Sequence, residues 1–162
     1  MSYQLITEWG DYRLAIPRLL ALARESLDIF DTDLRLFQFE KAQYLDLLEA
    51  LLTSRREDPP NLRIRVVLRD TQQLNYAPAR LRKLLEIYEH LFVIIKLSER
   101  LQHLPDSMLI ADQHSALICF QHGLARSKLL CDEPVAIAPY LNRFAEIWAE
   151  GGERFTPNAP GL

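Results

Sequence analysis

The chain alternates between two hydrophobic periods. From Tyr12 to Arg24 the pattern is helical, with Leu19, Leu20 and Ala23 on one side and Pro17 inside it. A proline there either kinks the helix or marks its first turn. Leu27 to Phe30 is a short apolar run that ends in Asp31-Thr32-Asp33. Glu40 to Thr53 reads as a second helix, with Leu45, Leu48, Leu51 and Leu52 at helical spacing, and Asp58-Pro-Pro-Asn61 breaks it. Leu62 to Leu68 alternates apolar residues with Arg63 and Arg65, the pattern of a strand with one wetter side. Pro78 to Glu89 is a third helix carrying Leu81, Leu84, Leu85 and Tyr88 on one face, and Leu91 to Ile95 is a branched, apolar strand.

Residues 97–106 read as irregular or briefly helical. Ser107 to Ala111 and Ala116 to Phe120 form two adjacent strands across Asp112-Gln113-His114, and Ser127 to Cys131 adds one more. The last helix, about Ile137 to Ala149, buries Ile137, Leu141, Phe144 and Trp148, with Pro134 and Pro139 near its start. Gly151-Gly152 ends it. Strands alternating with helices predict an α/β domain: a mostly parallel sheet with a late antiparallel strand pair and helices on both faces. The expected division is one domain over residues 1–150 and a loose tail over 151–162, where prolines recur.

Composition adds limits. At 162 residues, 49% hydrophobic and 25% charged, the chain has the make-up of a globular domain that can bury a core without disulfides or metals. A net charge of −3 provides no global field for nucleic acid or anionic membrane. No apolar run approaches the roughly 18 residues of a membrane span, and the N-terminus lacks a basic region followed by an apolar one. A cytoplasmic location is the resulting expectation. Cys119 and Cys131 fit no zinc or redox spacing and read as small buried thiols.

Several motifs are absent. The sequence has no glycine-rich phosphate loop, no G-x-S-x-G elbow and no H-E-x-x-H. Its histidines, His90, His103, His114 and His122, lie 13, 11 and 8 residues apart, so no two share a helical turn as metal ligands would. Neither metal nor cofactor is expected. Asp31-Thr32-Asp33 follows a strand, where α/β proteins place binding residues, although aspartates there also build turns. Arg63, Arg65 and Arg69 cluster around one strand, with Arg80, Arg82 and Lys83 on the next helix. They are candidates for holding phosphate or a nucleic-acid backbone, or else for a solvated, ion-paired surface.

From His103 to Phe120, an apolar strand ending Ile110-Ala111-Asp112, a short turn and a second apolar strand together resemble the motif strand pair of the phospholipase D superfamily. The order of elements from about residue 10 to 150 resembles one half of that fold. Phe144-Ala-Glu-Ile-Trp148 is similar to the F-x-x-[LI]-W ending of such halves. The family signature is H-x-K-x-x-x-x-D, in which the histidine attacks phosphorus and the lysine holds phosphate oxygens. The aspartate supports, and the histidine of a second motif acts as acid.

With Asp112 as the motif aspartate, Pro105 takes the nucleophile position and Ser107 the lysine position. Cys119-Phe-Gln-His122 stands where a G-S-x-N segment is usual. The resemblance therefore implies the scaffold without the reaction, in a degenerate bacterial branch of the family.

Three functional expectations follow. The leading one is a non-catalytic binding or protein-interaction domain, its partner a phosphate-containing ligand or a protein. Half-sized members of such families often pair around the motif face, which makes a homodimer one expected assembly. The second is a phosphodiesterase or nuclease with a rebuilt site using His103, Asp112 and His114. The third is a nucleic-acid-binding module using Arg63, Arg65, Arg69 and Arg80.

Overall fold

The computed structural model describes residues 2–54 and 62–157. The proposed helix breaker Asp58–Asn61 lies outside them. Among the described residues, seven strands form one sheet: β1 (Ser2–Ile6), β2 (Ser26–Asp31), β3 (Arg63–Leu68), β4 (Phe92–Lys96), β5 (Ser107–Ala111), β6 (Ser115–Cys119) and β7 (Ser127–Cys131). Four helices accompany them: α1 (Trp9–Leu22), α2 (Ala42–Thr53), α3 (Ala79–Ile87) and α4 (Pro134–Glu150). Residues 97–106 hold one short 3-10 turn at Glu99–Leu101.

The strand order is β1-β7-β6-β5-β2-β3-β4. Only β2–β3 and β3–β4 are parallel, and the other four pairings are antiparallel. This corrects the expectation of a mostly parallel sheet. The helical crossovers through α2 and α3 do produce parallel neighbours, as such crossovers must. After β4, however, the chain passes back across β2 and enters β5 running the opposite way. It then continues as a meander through β6 and β7. The N-terminal strand β1, not anticipated from the sequence, adds a further antiparallel edge against β7.

Alternation along the strands divides the core. Leu27, Ile29, Ile64, Val66, Leu68, Leu109 and Leu117 face α1, α2 and α3. Phe30, Val67, Ile95, Met108, Ile110 and Ile118 face α4, whose Ile137, Phe144 and Ile147 are buried against them. Helices thus cover both faces, as expected. The tail departs from expectation at residues 153–155. There the Lys96 amide donates to the Glu153 carbonyl at 2.8 Å and the Phe155 amide to the Ile94 carbonyl at 2.8 Å, which covers the β4 edge.

Candidate binding cleft

Strand direction gathers a group of polar side chains at one end of the sheet. Asp31 is the last residue of β2, and Arg69 follows β3. Because β5 runs antiparallel to β2, its first residue, Ser107, stands beside Asp31. Cys119, the last residue of β6, pairs with Ser107. Alternation turns Asp31 to the α1 side, in phase with Leu27 and Ile29. The start of α1 supplies Trp9 and Tyr12, with ring centroids 5.3 Å apart in an edge-on arrangement. His122 and Gly123 come from the loop after β6. Together with Thr32, Asp33, Arg35 and Leu36 they line a cleft of about 260 Å³.

The floor of the cleft is a hydrogen-bonded chain. Asp31 Oδ1 accepts from the Thr32 amide at 2.7 Å and from Ser107 Oγ at 3.2 Å. Ser107 Oγ in turn accepts from Arg69 Nη1 at 3.3 Å. Arg69 Nη2 donates to the carbonyls of Leu104, at 2.8 Å, and Asp106. The Arg69 guanidinium also lies 4.4 Å over the Phe30 ring. The Asp106 carboxylate is taken by Arg143, whose Nε and Nη2 each donate at 2.7 Å.

Burial sets the titration of this end. It lifts the Asp31 carboxyl to about 6, against the pull of the Thr32 and Ser107 hydrogen bonds and with a smaller push from Asp33. It also raises the Tyr12 phenol and the Cys119 thiol, each pushed further by the Asp31 charge. The Cys119 sulfur donates to the carbonyls of Gln121 and Leu124, both at 3.2 Å, as a protonated thiol does. Desolvation and the nearby Arg69 charge lower the His122 imidazole, which is therefore neutral at neutral pH.

The sequence-derived candidates do not assemble in this cleft. His103 is an exposed residue just before β5, whereas Asp112 and His114 stand in the turn after it. The five residues of β5 separate the two ends by about 17 Å. The Asp112 carboxylate accepts from the amides of Arg24 at 2.9 Å, Glu25 at 2.7 Å and Ser26 at 3.0 Å, which ties the β5–β6 turn to the start of β2. His114 Nδ1 lies 3.3 Å from Ser115 Oγ.

The arginines are dispersed as well. Arg65 Nε donates to the fully buried Asp28 at 2.9 Å, and its guanidinium lies 5.2 Å over Phe144 on the α4 face. Arg80 pairs with Asp46, at 2.6 Å, and Glu49 on the opposite face. Arg63 is exposed at the Asp112 end, paired in register with Ser26. Arg69 alone reaches the cleft region, from behind Ser107.

Asp31 and Asp33 each combine the two roles weighed for them. Asp33 Oδ1 accepts the Arg35 amide at 2.9 Å and Asp31 Oδ1 the Thr32 amide at 2.7 Å, as turn-formers do, and both residues line the cleft. Trp9, Tyr12, Cys119 and His122 were not anticipated as site residues. Their signal in the sequence is faint, since Trp9 and Tyr12 reach the cleft through the packing of α1 on the sheet, and Cys119 and His122 through the pairing of β6 with β5. Among the described residues no cluster of side chains is suited to a metal ion, and no helix is long and apolar enough to cross a membrane.

The family model described as "Domain of unknown function (DUF7931)" matches residues 10–156. The chain belongs to this family. No curated protein matches the DUF7931 chain. Solved structures resemble it in fold. TrmBL2, an archaeal chromatin protein whose structure shows a novel mode of DNA binding, aligns with a TM-score of 0.66 at 11% identity. The alignment covers 94% of this chain but 54% of TrmBL2, so the domain spans about half of that protein. Nuc from Salmonella typhimurium, a phospholipase D family member, aligns at 0.57 with 15% identity over 96% of this chain and 98% of Nuc. NucT from Helicobacter pylori aligns at 0.54 with 12% identity over 95% and 98%. At these identities the likeness establishes the fold: the DUF7931 domain is phospholipase D-like in architecture.

Proposed function

We propose that the chain is a non-catalytic phospholipase D-like domain that binds a ligand, or a side chain of a partner, in the Asp31–Ser107 cleft. The observation that carries this is the state of Ser107. At the position where the family resemblance implies a phosphate-holding lysine, a serine hydroxyl is held between Asp31 and Arg69. The nearby cation is committed to Ser107 and to two backbone carbonyls. Pro105, at the implied nucleophile position, has no group to attack phosphorus. An arginine whose Nη1 and Nη2 already point at Ser107 and two carbonyls gives little stabilisation to a developing phosphorane, whose charge needs preorganised donors aimed at it.

The competing reading is a phosphodiesterase rebuilt around a different histidine. Its support is His122, which lines the cleft and whose amide donates to the Pro105 carbonyl at 2.6 Å. Hydrolysis of bis(p-nitrophenyl) phosphate separates the two. The expected result is no turnover above the buffer rate in the native chain or in His103→Ala, His114→Ala and His122→Ala. Turnover that His122→Ala abolishes, while the other two variants retain it, would establish the enzyme and end the binding reading.

A further inference from the structure

Building on the reading of this cleft as a binding site, we infer that its occupant is a small organic cation, a protonated amine on a short apolar stem, held by Asp31 and the ring of Trp9. Three observations converge. The first is the state of the Asp31 carboxylate. The residue is 7% exposed, and Oδ1 takes both of its hydrogen bonds. Oδ2 has no hydrogen-bond partner among the described residues, is not a sealed buried atom, and belongs to a residue that lines the cleft. A carboxylate oxygen without a donor, on a nearly buried residue that lines a cleft, is an acceptor available to a ligand.

The second is the wall. Trp9 and Tyr12 line the same cleft as Asp31, and a carboxylate and aromatic rings around one cleft are the usual setting for an ammonium group. The third is volume. At about 260 Å³ the cleft falls below the roughly 300–1,000 Å³ of sites that enclose a whole ligand, which suits the end of an extended group.

The charges facing Asp31 favour a cation over a phosphate. Asp33 adds a second carboxylate from the turn after β2. Arg35, from the same turn, is exposed and lies 3.6 Å from Asp33. Arg69 is held behind Ser107, and Asp106 is neutralised by Arg143. The remaining neighbours are Tyr12 from α1, Cys119 from β6 and His122 from the following loop. All three are uncharged at neutral pH, by the directions in which burial moves them. An anion would meet two carboxylates, Asp31 on the floor and Asp33 in the turn, while the cation behind them, Arg69, spends Nη1 and Nη2 on Ser107 and two carbonyls and keeps Nε buried.

The test follows the indole N–H signal of Trp9 by NMR in the full chain, with Trp148, stacked on Phe144 across the sheet, as internal control. Butylammonium is expected to move Trp9 and leave Trp148 in place. Asp31→Asn, which keeps the shape and the Oδ1 acceptor, is expected to weaken that binding by about ten-fold or more. Affinity in the native chain is expected to fall as pH drops through about 6, where Asp31 gains its proton, which gives a check that needs no substitution.

A peptide with a blocked α-amine and one unmodified lysine, run beside butylammonium, identifies the source. Tighter binding of the peptide assigns a partner's side chain, tighter binding of the free amine assigns a small molecule, and either result carries the inference. Four results overturn it: butylammonium leaving Trp9 unmoved, 1-butanol moving Trp9 as strongly as the amine, dimethyl phosphate displacing the amine, or full affinity in Asp31→Asn. In the last three the cleft still binds, so the broader reading stands. That reading falls separately, on phosphodiester hydrolysis.

Discussion

Ionising Asp31 at the buried end of β2 costs stability that ionising a surface carboxylate would not. Its folded pKa, about 6, lies above the ordinary 3.8, so the folded chain binds this proton more tightly than the unfolded one. The contribution is fully favourable below 3.8, is lost as pH rises through about 6, and then levels off at a cost on the order of 3 kcal/mol. Asp31→Asn removes the charge and keeps the acceptor for Thr32 and Ser107. Urea unfolding is expected to show the variant more stable than the native chain at pH 7, with the gain shrinking by pH 4. An equal gain at both pH values would place the effect elsewhere than in ionisation. A carboxylate kept at such a cost is consistent with a binding role, because functional sites are where stability is commonly given up. Asp112 shows the contrary case. Its charge is absorbed by three backbone amides, and its work is to join two elements.

The two edges of the sheet are treated differently. At β4 the segment Glu153–Phe155 crosses back and takes the free amide of Lys96 and carbonyl of Ile94. That approach requires a residue without a side chain at 152, where an added Cβ would overlap the Lys96 carbonyl oxygen. Gly152→Ala is therefore expected to detach the tail and cost about 1–3 kcal/mol. Hydrogen exchange would read it as lost protection at the Lys96 and Phe155 amides, with the Val66 amide inside the β2–β3–β4 region unchanged. Protection retained at Lys96 would show that the close approach is dispensable. At β1 no equivalent segment covers the outer edge among the described residues, and Tyr3 and Leu5 remain exposed.

On the scale of the whole molecule, charge is distributed so that few cations are free to act together. The candidate arginines lie on opposite faces and at opposite ends of the sheet, and three of the four are committed to partners within the fold. With a net charge of −3, the chain is expected to bind duplex DNA weakly, its log affinity falling with log salt at a slope equivalent to roughly two phosphates or fewer. Titration at two salt concentrations checks this. A slope equivalent to about five or more would restore the nucleic-acid reading, in line with the DNA binding of its structural neighbour TrmBL2.

Local pattern was enough to locate six of the seven strands and all four helices, because burial of one face imposes a period that can be read along the chain. It also marked Asp31 and Ser107 as strand-end residues. It missed β1, whose Tyr3 and Leu5 face solvent, so that Ser2–Ile6 has no buried alternation to betray it. Strand order and direction had no local signal either. Whether β5 runs with β2 or against it is decided by long-range pairing, and the mostly parallel sheet expected from the helix–strand alternation gave way on that point. The same choice made the site. Only because β5 is antiparallel does Ser107 reach Asp31 while Asp112 and His114 are carried to the far end. The sequence determined which side chains the chain could offer. The tertiary pairing decided which of them share a cleft, because hydrogen bonds between distant strands, rather than neighbours in sequence, set their distances.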